Sequence, residues 1–262
     1  MNKLSKKVCG VRITDKHTGK MEGMQSISTS NLTNPMCIRN KEVKGSICQK
    51  CYANTMLQMY SSLHNKCEDN TKLLTTRILS NSELPIINCA IFRFEAFGDI
   101  HNKIHLENYV NIAKKNPYCR FSLWTKNYEV ALEFFKENEC PDNFTLILSS
   151  LFINVKYDLT AFKATGRFKK GQLKVFTVYS MDYISEHYNE LDLNCGSRSC
   201  MGCQKCYAKN EIEEINEILK SDQSQVEEYE DIVSGRFDAR VEDHCSVLTE
   251  LMEVDSETGE EV

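Results

Sequence analysis

The spacing of the cysteines constrains this chain more than any other feature of it. Cys48 and Cys51 follow Cys37, Cys200, Cys203 and Cys206 follow Cys195, and both runs lead into Cys-Tyr-Ala. Thiolates at such short intervals converge readily on one point, so the loops that carry them are expected to fold around metal. Buried structural cysteines do not explain such a density in a run that also holds Gly196, Gly202 and Lys205. The opening Met1-Asn-Lys-Leu-Ser-Lys-Lys has charge but no apolar stretch behind it, which is not the pattern of a secretory leader. The expected location is the cytoplasm, where clustered cysteines serve metal or redox chemistry rather than disulfides.

The chain has 262 residues, 41% of them hydrophobic and 26% charged, enough for one large core, and no apolar run approaches membrane-spanning length. The net charge of -5 conceals an asymmetry, because residues 210–262 carry eighteen Asp and Glu against three Lys and Arg. Without that stretch the body is basic, which is compatible with a phosphate-rich partner such as nucleic acid but is more simply read as a solvated Lys/Arg surface. The expected organisation is one α/β metal-binding domain over residues 1–210, with its cysteine-rich segment at 195–206, and an acidic helical tail over 211–262. The tail begins with Ile212, Ile215 and Leu219 at helical spacing, and its last ten residues are expected to be disordered.

Between residues 25 and 180, short β-rich runs alternate with helical periodicity, the signature of parallel βα units. Strands are expected at 25–30, 89–94, 120–124, 144–149 and 174–179. Helical stripes run through Met56, Met59, Tyr60 and Leu63, through Leu106, Tyr109, Val110 and Ala113, and through Tyr128, Ala131, Leu132 and Phe135, all expected to be core. Residues 154–171 read as a loop or a distorted helix. In such sheets reactive groups gather at the carboxyl ends of the strands. That rule selects Glu95 and Asp99, Trp124 and Lys126, and Ser149 and Ser150 as candidates. Glu95 and Asp99 suit an ammonium group or a ribose, or the cap of the next helix. His101 and His105, one helical turn apart, read as a helix start.

Cys200, Cys203 and Cys206 suit three irons of one cubane face, with Cys195 as the fourth ligand, whereas zinc generally takes two separated pairs. Zinc stays open as the alternative. Cys37, Cys48 and Cys51 make a set of three, which on a [4Fe-4S] cluster leaves one iron open, unless Cys67 closes the site. Cys89 and Cys119 lie beside apolar strand runs and read as small hydrophobes. No phosphate loop, dinucleotide turn, zinc-protease helix or nucleophile elbow is present, so a hydrolase reading lacks support.

Gly19-Lys-Met-Glu-Gly-Met-Gln-Ser-Ile-Ser-Thr-Ser, Cys48-Gln-Lys-Cys-Tyr-Ala, Arg93-Phe-Glu-Ala-Phe-Gly-Asp, Leu123-Trp-Thr-Lys-Asn and Asn194-Cys-Gly-Ser-Arg-Ser-Cys together resemble the phage-associated gene product 88 family, over about residues 17–220. That family is in turn similar to a shortened radical S-adenosylmethionine (SAM) enzyme. The resemblance implies a partial (β/α) barrel of five to six mostly parallel strands. It also implies a cluster held by Cys37, Cys48 and Cys51, with Tyr52 beside it. Radical SAM enzymes place their first two cysteines three residues apart rather than ten, and their Gly-Gly-Glu contact is absent here; Glu95 takes that place by position. The implied activity is reductive cleavage of SAM, with Glu95, Asp99 and Lys126 catalytic and Tyr52, Glu95 and Ser149 binding the cofactor. The second cluster would pass electrons or hold substrate, and a ferredoxin or flavodoxin would act as reductant. The rival expectation is a metal-stapled module that binds nucleic acid or a protein.

Overall fold

Strands in a parallel sheet are covered on both faces and therefore read as nearly continuous buried runs. Phe144–Ser149 is buried at every position. In the computed structural model, which describes residues 10–187, 189–196 and 199–219, six strands form one open sheet. They are β1 (Gln25–Ile27), β2 (Ile91–Phe94), β3 (Arg120–Thr125), β4 (Phe144–Ser149), β5 (Leu173–Tyr179) and β6 (Glu214–Ile218). Every pairing is parallel, and the strands lie side by side in chain order. The helices are α1 (Pro35–Glu42), α2 (Tyr52–Met59), α3 (Ser61–Leu74), α4 (Lys103–Lys115), α5 (Tyr128–Glu137), α6 (Thr160–Lys163), α7 (Met181–His187) and α8 (Cys200–Cys203).

Local chemistry sets several helix starts. Asn34 accepts from the Met36 N–H at 3.0 Å with Pro35 at the first helical position of α1, and Asn102 accepts from the His105 N–H at 2.9 Å at the start of α4. His101 thus precedes the cap and His105 sits in the first turn, the helix start expected of that pair. Neither Glu95 nor Asp99 supplies the cap.

Adding strands in one direction through right-handed crossovers carries the connecting helices to a single side of the sheet. On that side Phe92, Phe94, Phe121, Leu123, Phe144, Leu146 and Val175 pack with residues of α3, α4, α5 and α6 into the main core. Phe94 stacks on Phe121 at 5.0 Å and on Tyr109 of α4 at 4.1 Å. The opposite face is unlike it. Strand register places Ser26, Arg93, Ser122 and Thr145 in one row, and Trp124, Ile147 and Lys174 in the next. This polar face is covered by loop, a 3-10 turn and the single turn of α8: Met24, Ile91 and Tyr207 cluster there with Met21, Trp124, Cys200 and Cys206.

Two expectations need correction. Ile212, Ile215 and Leu219 do not form a helix: residues 214–218 are β6, so the domain runs past residue 210. The edge of β5 needs partners for its peptide groups, and that long-range demand overrides the local stripe. Asn194 holds the far side of β6, accepting from the Asn216 N–H at 3.1 Å and donating to the Glu214 carbonyl at 2.9 Å. The remainder of the acidic tail lies outside the described residues. The stripe through Met56, Met59, Tyr60 and Leu63 is broken at Tyr60, whose ψ of 94° separates α2 from α3. Met59 and Tyr60 are consequently exposed, at 61% and 39%, rather than core. Residues 154–171 are mostly loop, with the single turn of α6. Among the described residues no helix is long and apolar enough to cross a membrane.

Candidate metal centre

Cys37 lies on α1, Cys48 on a short 3-10 turn (Ile47–Lys50) and Cys51 at the N-cap of α2. The turn is tied to the sheet where the Ile47 N–H donates to the Leu151 carbonyl at 3.0 Å, just beyond β4. The three thiols are electrostatic neighbours. Burial first, then Asp99, Cys51 and Cys48, push the Cys37 thiol far above its ordinary range. Burial also raises Cys48, while the Lys126 ammonium opposes it. Asn31 Nδ2 approaches Cys51 Sγ at 3.8 Å. The group therefore sits at the carboxyl ends of β1 to β4, as the topology of a parallel sheet favours. Cys67 packs within the fold on α3, where burial and then Glu95 push its thiol up to about 12.

Of the polar residues expected here, Asp99, Lys126 and Ser149 border this group. Buried Asp99 accepts from the Thr125 hydroxyl, the Ile100 N–H at 2.7 Å and the Lys126 N–H at 2.8 Å. Lys126 Nζ donates to Ser149 Oγ at 2.9 Å. Tyr52 is 57% exposed, but its hydroxyl donates to the Ala96 carbonyl and its ring meets the edge of Phe97.

Glu95 is placed differently. It is 2% exposed, with φ +58°, and its carboxylate faces Thr29 and the α4 side chains instead of solvent. Oε1 accepts from Tyr109 at 2.6 Å and from Thr29 Oγ1 at 2.8 Å, and Oε2 accepts from the Thr29 N–H at 3.0 Å. His105 Nδ1 accepts from the His101 N–H at 3.2 Å, so the proton of its neutral ring sits on Nε2, which lies 3.4 Å from Glu95 Oε1. Burial pushes the Glu95 carboxyl up to about 8 despite these donors. Gly98 closes over it: a Cβ there would stand 2.3 Å from the Thr29 carbonyl oxygen and 2.4 Å from Glu95 Oε2.

The second thiol group covers the polar face of the sheet. Cys195 forms a bridge with Glu217 of β6, and Cys200 to Cys206 pass over Ile91 and Trp124. Burial, then Cys200, push the Cys206 thiol up to about 12, with Arg93 opposing. Burial and then Glu217 raise Cys195, against Lys20, and burial raises Cys200, against Arg93 and Lys20. Reasoning from sequence missed the cations that face this group. Arg93 lies over the Trp124 ring at 4.0 Å, with its Nε buried and without a hydrogen-bond partner. Lys174 is fully buried and donates to Asn210 Oδ1 and the Ile212 carbonyl, both at 2.6 Å. Lys20 pairs with Glu217 at 2.5 Å. A lone charge inside an aromatic strand, as in Phe92-Arg93-Phe94, was the signal that could have found Arg93.

Both groups contain desolvated thiols, Cys37 and Cys48 in the first and Cys195, Cys200 and Cys206 in the second, with cations at their margins. Such thiols are costly to ionise alone and readily ionised by a thiophilic metal, so their donor chemistry fits a thiolate-ligated group. Among the described residues, no three His, Cys, Asp or Glu side chains converge on a single ion position. The thiols of each group are electrostatic neighbours. No curated protein and no solved structure matches the chain. The family model for gene product 88 matches residues 9–222, a span that contains all six strands and both thiol groups. The chain belongs to the gene product 88 family.

Proposed function

We propose that this is an iron–sulfur protein with a radical-SAM-like core, in which Cys37, Cys48 and Cys51 hold one [4Fe-4S] cluster and Cys195, Cys200, Cys203 and Cys206 hold a second. The observation that carries this reading is the gathering of two separate thiol groups about one parallel sheet, one at its carboxyl edge and one across its polar face. A sheet wound in chain order, with helices on one side, is also the arrangement from which a partial (β/α) barrel is made. Each thiolate on a cubane binds a different iron, so its sulfurs stand further apart than those around one tetrahedral zinc. Neighbouring thiols of which no three converge on one ion position among the described residues are compatible with that spacing.

When bound, the three-thiolate cluster would supply the electron for reductive cleavage of SAM. The chain's own contribution is placement. Lys126 and Ser149 present a cation and a hydroxyl at the rim of the first group, and Asp99 fixes the Lys126 backbone. Glu95 acts from inside the fold as a positioning residue, holding Thr29 and α4 together.

Anaerobic reconstitution with iron and sulfide, followed by counting of both, tests the reading. Roughly eight irons per chain are expected, falling by about half in Cys48→Ser and in Cys203→Ser. The reduced wild type should then release 5′-deoxyadenosine from SAM. A folded, cluster-loaded sample that releases none overturns the enzyme claim. Zinc in place of iron, with a salt-dependent shift of nucleic acid, would favour the metal-stapled binding module.

A further inference from the structure

Cys89 and Cys119 lie at the other end of the sheet, at the amino-terminal ends of β2 and β3. The register pairs Ile91 with Arg120, and the Arg120 N–H donates to the Ala90 carbonyl at 3.0 Å, so the residues just ahead of the two strands run side by side. The register sets Cys119 beside Ala90, one residue from Cys89, and strands ~4.8 Å apart with a rise of ~3.3 Å per residue give a diagonal of about 6 Å, within the span a disulfide bridges. Both side chains also reach the same face: Cys119 is a member of the main core and Cys89 packs against it. The two thiols are electrostatic neighbours, and the Cys89 thiol donates to the Ile91 carbonyl at 3.1 Å. Cys119 is 1% exposed, whereas Cys89 is only half-buried and is followed by an exposed Ala90.

We infer that Cys89 and Cys119 form a thiol–disulfide exchange site, with Cys89 as the attacking sulfur and Cys119 as the resolving one, whose substrate is a small disulfide such as glutathione disulfide. The division of roles follows from access. Only Cys89 can be reached from solvent, and Cys119 is buried on the neighbouring strand end. The neighbouring Cys119 thiol holds the Cys89 thiol below its ordinary range, and Cys89 and then burial raise Cys119, which agrees with the roles that access assigns. In the first step the Cys89 thiolate attacks one sulfur of the small disulfide, forming a mixed disulfide and expelling one small thiolate. In the second, Cys119 gives up its proton and displaces the second small thiolate from Cys89. The protein dithiol is oxidised by two electrons to the Cys89–Cys119 disulfide, and the small disulfide is reduced to two thiols.

This site stands apart from both metal-binding groups and does not rest on their assignment. Cys140, 5% exposed with its thiol near the Phe144 carbonyl, is the internal comparison. The full chain would be equilibrated in buffer dominated by glutathione disulfide, alkylated, and mapped with trypsin without reductant. Peptide 78–93 should appear joined to peptide 116–120, lighter than the two together by two hydrogens, and free thiol at Cys89 should fall at least about tenfold while Cys140 stays reduced. In Cys119→Ala the same buffer should leave Cys89 carrying a glutathionyl group. Unlinked peptides with Cys89 unmodified in the folded protein would overturn the assignment. So would a link that forms only in urea, or equal modification of Cys140.

Discussion

The buried carboxyl of Glu95 makes a signed prediction about stability. Its ordinary value of 4.5 is pushed up to about 8 in the folded chain. Between those limits the folded state keeps a proton that the unfolded state has released. The contribution is therefore full below about pH 4.5 and is lost as pH rises through about 8, at about 1.4 kcal/mol per pH unit. Across the whole interval that is about 5 kcal/mol, comparable to the entire stability of many domains. Glu95→Gln isolates the effect, because the amide cannot titrate. Its oxygen can still accept from the Thr29 N–H, and its NH2 can donate to the Tyr109 or Thr29 hydroxyl, each of which can turn to accept. Burial first holds His17 down to about 4 and His105, which lies 3.4 Å from Glu95, well below its ordinary range, so both rings stay neutral as pH rises from 5 to 8 and leave the difference to Glu95. Urea denaturation at pH 5, 6, 7 and 8 should show the wild type losing stability relative to Glu95→Gln at each step. With about 3 kcal/mol per molar urea, the midpoint difference moves by about 0.5 M per pH unit. A difference that stays flat over this range, or grows in favour of the wild type at high pH, would refute the reasoning.

Two substitutions probe the packing around the two sites. Gly98→Ala places a methyl group 2.3 Å from the Thr29 carbonyl oxygen, so backbone must move, and a loss of at least about 3 kcal/mol is expected, read as a fall in Tm of about 6–12 °C by calorimetry. Lys174→Met keeps the buried stem but leaves the Ile212 carbonyl without its 2.6 Å donor. An unsatisfied group of that kind costs about 1–3 kcal/mol, measurable as a shift of the urea midpoint with unchanged slope.

The inner strands were legible because their side chains carry the signal locally. Residues 144–149 appear with the bounds expected of them, and 120–125 and 173–179 differ by one residue at one end. Aromatic and branched residues in short runs need no distant partner to be read as strand. The helices α4 and α5 were equally plain, with Leu106, Tyr109, Val110 and Ala113 all buried. What stayed hidden depended on partners far away in the chain. No local pattern says that Arg93 and Lys174 would lie on the same polar face, since that follows from a register fixed by the intervening strands. Glu95 was legible as a strand-end carboxylate, but its turn toward α4 rests on the positive φ at that one residue. Among the thiols, sequence spacing grouped Cys37 with Cys48 and Cys51, yet could not place Cys67, which packs beside Glu95.

The misread segment 212–219 offers the sharpest test of where the domain ends. A chain stopped after residue 210 keeps everything the cysteine spacing points to but loses β6. Ile215 and Ile218 are 1% and 5% exposed, and burying each stabilises by about 1.5–3 kcal/mol, so their removal costs about 3–6 kcal/mol before any hydrogen bond is counted. The edge of β5 would also be opened, Glu217 removed from Lys20, and Asn194 stripped of both its contacts to the strand. Since Cys195 is held by its bridge to Glu217, the second thiol group loses an anchor together with the sheet. A chain stopped after residue 222, where the family match ends, retains all of these contacts. Expressed side by side, the longer form should stay soluble and monodisperse, and the shorter should aggregate or melt well below it. Equal melting temperatures for the two would mean that β6 contributes nothing to the fold, and with it would go the argument that the cysteine-rich segment is clamped across the sheet from its far edge.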